Sequence, residues 1–447
     1  MMNRDATTPP LVDDVSPTAS RPAGLRVAVV GAGPSGIFAA EALLARCPEA
    51  KIDVLDRERR PYGLVRYGVA PDHHKIKSVT RVLAKTLARP QVRYFGNVHV
   101  GNRRDGADVE LSELRARYEA VVMATGAPIA VRLDVPGADL AGSLTASQVV
   151  GWYNGHPDAT APPNPPSPTS RSVVIVGAGN VALDVARVLL KGSEGLADTD
   201  IPPHVRDRLR DLAITDVHLV IRRGPADVKF GVPELRGIDR LSSVDIHIDG
   251  ADLASATEAG AASAGAVRLL QSWNDRVSSA APRRLHVHFH RKIHRIHGGK
   301  DLSGRATVRN VEFAFTLANP ASGFTTLAAD LVIGAIGYQG EPIAGLPFDT
   351  TLGRIAHTDG RIGAAGTGLY VTGWAKRGPQ GVIGTSKLDA KATASTIHAD
   401  LDHLKRRSLS DDDLADLLDR RGVRVVSHMT QLEEWAAMPF DTAPASA

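Results

Sequence analysis

A short apolar, β-branched run, Arg26-Val27-Ala28-Val29-Val30, feeds into Gly31-Ala32-Gly33-Pro34-Ser35-Gly36 and then an Ala-rich segment, which predicts strand, tight turn and helix. Lys51 to Asp56 (KIDVLD) follows as a second apolar strand, and Tyr118 to Gly126 as a third that ends in a small-residue turn. The Pro-rich segment Ala161 to Ser170 reads as loop, because proline disrupts both helices and central strands. Directly after it, Ser172 to Val176 runs into Gly177-Ala178-Gly179-Asn180-Val181-Ala182, a second strand, turn and helix. Val217 to Ile221 is the next strand of that unit. Leu285 to His290 alternates apolar and polar positions, and Ala329 to Gly337 mirrors the run that ends at Gly126. The last strand, Leu369 to Gly373, leads through Trp374 to Ile383 into a helix rich in Ala and Lys, whose N-terminus is expected to face a bound cofactor.

The glycines say what these turns can hold. Gly31 can turn tightly without a Cβ, Gly33 lets the backbone approach a pyrophosphate, and Gly36 lets helix and strand pack closely. The helix N-terminus then aims free N–H groups and a partial positive charge at the phosphates. Asp56 closes the next strand, where a carboxylate accepts hydrogen bonds from ribose hydroxyls. A second motif beginning at Gly177 implies a second nucleotide unit. Its next strand ends in Arg222-Arg223, and guanidinium forks at that place favour a 2′-phosphate, hence NADP over NAD. The polar insertion Lys191 to Ile214 accounts for the wide spacing between glycines and arginines.

The expected fold is therefore α/β, with two Rossmann-like dinucleotide-binding domains, the second inserted into a discontinuous first. The matching runs at 118–126 and 329–337 are expected to carry the chain out of the first domain and back. The divisions are a disordered tail over 1–24, the first domain over 25–128 and 331–409, the inserted domain over 129–330, and a C-terminal extension over 410–447 with no function assigned.

Composition narrows the function. Hydrophobic residues make up 43% and charged residues 23%, as in soluble globular proteins, and no run is long enough to span a membrane. The first 24 residues lack an apolar core and read as neither signal nor transit peptide. A single cysteine, Cys47, excludes a CxxC pair and any intrachain disulfide, which fits a cytoplasmic protein and makes a dithiol reductase a poor reading. Cys47 itself reads as packing. The net charge of +4 is too small to suggest nucleic acid, but Arg57 to Arg93 holds ten Lys/Arg against Glu58 and Asp72. That stretch is either a solvated helix face or a landing patch for an acidic partner. His286, His288 and His290 share a strand face, with His294 and His297 nearby; the reading is adventitious metal binding at most, so no metal is assigned.

Eight blocks in order resemble the adrenodoxin-reductase-type ferredoxin-NADP reductases over roughly residues 25 to 405: GAGPSG (31–36), YGLVRYGVAPDHHKIK (62–77), YFGNVHVG (94–101), GWYNGHP (151–157), VIVGAGNVALDVARVLL (174–190), RRGP (222–225), GLPFD (345–349) and GWAKRGPQGVIGTSKLDA (373–390). The resemblance implies FAD in the discontinuous domain and NADP in the inserted one. It implies a flavin pyrophosphate on Gly31, Gly33, Pro34 and Ser35, its ribose on Asp56, and its flavin end near Gly63, Leu64, Val65, Trp374, Gly381, Val382 and Ile383. For NADP it implies Gly179, Asn180, Val181, Arg222, Arg223 and Glu234, with Trp374 and Gly381 at the nicotinamide end. His73 is implied to lie near the flavin and to influence hydride transfer. The implied activity is that of a ferredoxin-NADP reductase, a flavoprotein oxidoreductase passing electrons from NADPH through FAD to an acidic ferredoxin-type iron-sulfur protein.

Two places depart from the family pattern. Gly237 stands where the family commonly has an acid, and Phe230-Gly231-Val232-Pro233 replaces a run usually filled with Thr and Leu. Both bear on hydride rate and partner choice. The alternatives to a ferredoxin reductase are a flavoenzyme with oxygen, a quinone or a small organic acceptor, and a non-catalytic nucleotide-binding protein.

Overall fold

The computed structural model describes residues 24–163, 171–248, 250–253, 264–276, 278–301, 303–316, 323–405 and 413–427. The expected N-terminal tail, most of the Pro-rich loop and much of the C-terminal extension lie outside the described residues.

The apolar runs form two parallel sheets. In the first, the strand order is Leu369–Val371, Ala120–Met123, Arg26–Val30, Lys51–Asp56 and Val92–Gly96. Its strands Ala120–Met123 and Leu369–Val371 are apolar and wholly buried because both faces are covered. Val27 and Val29 pack under helices Pro34–Arg46 and Ile383–Ala399. Ala28 and Val30 meet a second layer containing Leu114, Leu414 and Leu418. The strand Arg26–Val30 sits between Ala120–Met123 and Lys51–Asp56, so the strand order reverses on either side of it and opens a crevice at its C-terminal end.

The second sheet runs Ser143–Thr145, Leu331–Gly334, Ser172–Val176, Asp216–Val220, Arg283–His288 and Val244–Ile248. Val173, Ile175, Val217 and Leu219 face helices carrying Leu183, Ala186 and Leu190. Val174, Val220 and Val332 face an antiparallel meander, Arg291–Lys300, Ala306–Phe315 and Phe324–Ala328, through Ile293, Val308, Val311 and Phe313. Ser172–Val176 again occupies the reversal point.

The expected return into the first domain at 331 is corrected here. Leu331–Gly334 hydrogen-bonds to Ser172–Val176 and Ser143–Thr145, so it belongs to the second sheet. The chain returns just after it, where Tyr338–Gln339 pairs antiparallel with the outgoing Ile129–Ala130. A run of apolar residues ending in glycine does not reveal which sheet it will join.

The histidine strand ends sooner than the alternation suggests. His290 has left the strand at φ 55° and does not share the face of His286 and His288. His286 stacks between His218 and His247 with ring centroids 4.5 and 5.1 Å away, and burial with its histidine neighbours pushes His218 down to about 3. His294 and His297 flank Glu312 at 3.7 and 3.5 Å. Among the described residues no three His, Cys, Asp or Glu side chains gather as a metal site. Cys47 ends helix Pro34–Arg46, partly buried, with Sγ 3.8 Å from His398 Nδ1.

Residues 413–427 pack onto the first sheet. Helix Leu414–Arg420 buries Leu414 and Leu418 against the first sheet, and Val426 exchanges backbone hydrogen bonds with Gly96. Arg93 forks onto Asp53 and Asp413 together. Among the described residues no helix is long and apolar enough to cross a membrane.

Candidate functional site

The first glycine turn behaves as the spacing predicts. Gly31 has φ +111°, and a Cβ there would lie 2.4 Å from the Ala124 carbonyl oxygen, so only glycine fits. A Cβ on Gly36 would lie 2.0 Å from the Gly31 carbonyl oxygen, which makes this the close helix-strand contact. At Gly33 a Cβ would meet no atom within 4 Å; the space beside it is open. Asp56 accepts from the Ala32 N–H at 2.6 Å and the Glu58 N–H at 2.9 Å, bracing the turn from the neighbouring strand. Burial raises its carboxyl to about 6 although both N–H groups oppose the shift.

The second turn repeats this logic. A Cβ on Gly177 would lie 2.3 Å from the Ala335 carbonyl oxygen, Ala182 is fully buried, and the space beside Gly179 is open. Asn180, at the start of helix Asn180–Lys191, accepts from the Gly231 N–H at 2.9 Å. This pins the atypical segment 230–233 to the turn: Phe230 is buried and Pro233 lies in the first turn of helix Val232–Asp239.

The first turn and the start of the helix after the second border one cavity of about 1440 Å³, larger than the ~300–1,000 Å³ that holds a single drug-sized ligand. Gly31, Gly33, Pro34, Ser35, Asp56, Gly63, Leu64, Val65, His73, Trp374, Gly381, Val382 and Ile383 line it from the first domain, and Asn180, Val181 and Glu234 from the second. Gly179 is not among the lining residues, nor are Arg222 and Arg223, which stand exposed just beyond the strand Asp216–Val220. Trp374 begins a short helix, its ring 6.3 Å from that of Tyr338. Burial pushes the Tyr338 hydroxyl up to about 12. Tyr338, Asp184, His156 and Gly126 also line the cavity and were not singled out from the sequence. Gly126 ends a strand of the first sheet and Asp184 sits one turn into the second helix, which were the available signals.

The walls meet through charged pairs that all start from the stretch 58–77. His156 hydrogen-bonds Glu58 across 3.4 Å and, despite burial, holds it below the usual carboxylate range. Lys77, buried, donates to Asp200 at 2.9 Å and Asn154 at 3.0 Å; burial lowers its pKa against the pull of Asp200. Burial alone would raise Asp72, yet Arg187 and Lys191 hold it well below the usual range. The basic run is thus partly engaged: Arg66 is buried against Tyr62, Lys77 is buried and paired, and Arg93, though exposed, is held by two aspartates. Arg59, Lys75, Arg81, Lys85 and Arg89 remain exposed.

Whether this site suits two dinucleotides is decided at Gly33 and Gly179. Each offers open space that a side chain would fill, at the head of a helix, and Gly33 also lines the cavity. The residues fit. Fold and site together define a two-nucleotide oxidoreductase, and the family described as pyridine nucleotide-disulphide oxidoreductase matches residues 25–223. NADPH-ferredoxin reductase FprA of Mycobacterium tuberculosis is 40% identical over 403 residues, covering 85% of this chain and 84% of that protein. The mitochondrial NADPH:adrenodoxin oxidoreductase of Arabidopsis thaliana is 36% identical over 440 residues, covering 92% and 89%. A solved structure of Mycobacterium tuberculosis FprA in complex with NADPH is similar with a TM-score of 0.81 at 37% identity, over 90% of this chain and 92% of that one. The chain belongs to the family of NADPH-dependent ferredoxin and adrenodoxin reductases.

Proposed function

We propose that this protein moves electrons from NADPH through FAD to a ferredoxin-type iron-sulfur protein. The observation that carries the reading is the single cavity lined both by the first glycine turn and by the start of the helix that follows the second, since a hydride crosses only between groups in contact. When bound, the flavin supplies the conversion of a two-electron hydride donor into single electrons. The protein's own residues bind and orient. The open backbone at Gly33 and the start of helix Pro34–Arg46 receive the FAD pyrophosphate, with Pro34 and Ser35 beside it, and Asp56 stands at the ribose. Leu64, Val65, Val382 and Ile383 would supply apolar wall at the flavin end, and Trp374, which lines the same cavity, would border the flavin and nicotinamide ends. Gly179, Asn180 and Val181 receive the NADP pyrophosphate. Arg222 and Arg223, exposed beyond the strand, take the 2′-phosphate as a fork.

For the acceptor, the exposed Arg59, Lys75, Arg81, Lys85 and Arg89 make an attractive face for an acidic iron-sulfur protein, and Lys75 also lines the cavity mouth. The protein as purified should be yellow, and anaerobic NADPH should bleach the flavin band. Adding a ferredoxin should restore it at a rate that falls steeply with salt. A colourless protein that takes up no FAD would overturn the reading. Turnover with a quinone or oxygen that exceeds every ferredoxin would replace the acceptor.

A further inference from the structure

The buried ion cluster behind His73 has no task in the scheme above. Arg187 lies on helix Asn180–Lys191, is 2% exposed, and all three of its guanidinium nitrogens are engaged. Nε and Nη2 fork onto the two oxygens of Asp72, each at 2.8 Å, so that the inserted domain grips the loop just before His73. Nη1 donates to Asp184 Oδ1 at 2.5 Å, and Nη2 lies 2.8 Å from His73 Nε2. A guanidinium has donors and no acceptor, so His73 Nε2 accepts and the ring proton sits on Nδ1. This also accounts for the 3.1 Å approach of His73 Nε2 to Asp184 Oδ1: two acceptors share one donor fork.

The atypical glycine lies against the same side chain. A Cβ on Gly237 would come 3.3 Å from Arg187 Cδ, and Arg187, held by its bonds to Asp72, Asp184 and His73, cannot step aside. Helix Val232–Asp239, which brings Glu234 to the cavity, therefore rests directly on the stem of Arg187.

We propose that Arg187 is a positioning residue for hydride transfer: one buried guanidinium sets the tautomer and place of His73, holds Asp184 beside it and, through Gly237, fixes how closely the Glu234 helix approaches. The proposal rests on the NADPH-to-FAD reading above. A lysine keeps the charge but, as a point charge without a fork, cannot hold Asp72, Asp184 and His73 together.

The test uses flavin-loaded Arg187→Lys and the milder Gly237→Ala. In anaerobic stopped flow, flavin reduction by saturating NADPH should slow ~10-fold or more in the first and ~3-fold in the second. FAD content per chain and the Kd for NADP⁺ should stay within about twofold of the unmodified protein, which a merely structural defect would not allow. A second readout needs no turnover. In ¹⁵N-histidine NMR, with His73 identified by loss of its signals in His73→Gln, the unmodified protein should carry the proton on Nδ1, and Arg187→Lys should lose that preference. Unmodified protein with the His73 proton on Nε2, or Arg187→Lys reducing its bound flavin within about twofold of the normal rate, would overturn the proposal. Failure of the unmodified protein to bleach with NADPH would instead overturn the functional reading, and the NMR result would still decide the role of Arg187.

Discussion

The two nucleotide units share the same strand, glycine turn and helix, yet they meet the cavity differently. In the first, most of the constellation faces inward: Gly31, Gly33, Pro34, Ser35 and Asp56 line the space, and the helix Ile383–Ala399 packs on the first helix. In the second, Asn180, Val181, Asp184 and Glu234 reach the cavity but the turn glycines do not, and Arg222 and Arg223 remain exposed. Enclosure suits a cofactor that stays, and an open rim suits a nucleotide that must enter and leave with each turnover. On the proposed assignment, the same local motif would serve residence in one place and exchange in the other.

The most severe way to break this contrast is to fill the first turn. Gly33→Val adds a side chain into open space, so the fold should persist while FAD affinity falls ~100-fold or more, read from flavin absorbance per chain and from titration with FAD. Gly36→Val, which meets the Gly31 carbonyl, should instead lower the yield of folded protein; equal behaviour of the two variants would refute the separate roles given to them.

Next comes the half-buried acid that belongs only to the first unit. With its carboxyl raised from 3.8 to about 6, the folded apoprotein binds more protons than the unfolded chain between those values. Asp56 therefore costs stability progressively as pH rises from about 4 to about 6 and adds no further slope above. Asp56→Asn should remove ~2 kcal/mol of that decline, the half-buried carboxyl being partly screened. Urea melts of flavin-free protein across this range check the sign, and parallel curves for the two proteins would count against it.

Sharpening the open side requires the arginines. Replacing both Arg222 and Arg223 by Ala should weaken NADPH ~30-fold and leave NADH nearly unchanged, measured as the ratio of kcat/KM values. Smaller still, reversing the charge of Lys75, Arg81 or Lys85 singly should lower kcat/KM for ferredoxin ~3-fold at low salt, with the difference vanishing at high salt. Lys77, drawn from the same stretch but tied to Asp200, should give a loss insensitive to salt.

Much of this arrangement was legible in local order. Gly31, Gly33 and Gly36 stand where their spacing put them, and Asp56 comes to the turn as the next strand predicts. Sheet membership was not legible, because Leu331–Gly334 and Ala120–Met123 look alike until they find their hydrogen-bonding neighbours. Charge counting failed for a similar reason: Lys77 and Arg93 sit in a basic run, but their partners Asp200 and Asp413 are far along the chain. The grip of Arg187 on Asp72 and His73 joins two blocks that the sequence presents separately. Helix Leu414–Arg420, polar to the eye, buries its leucines against a sheet laid down at the start of the chain.

The ribbon formed by Ile129–Ala130 and Tyr338–Gln339 brings the departure and the homecoming of the inserted unit to neighbouring residues. A segment whose two ends lie side by side can be exchanged as a cassette, with no rerouting of the chain that hosts it. Other nucleotide modules could be spliced at that seam without disturbing the strands of the first sheet.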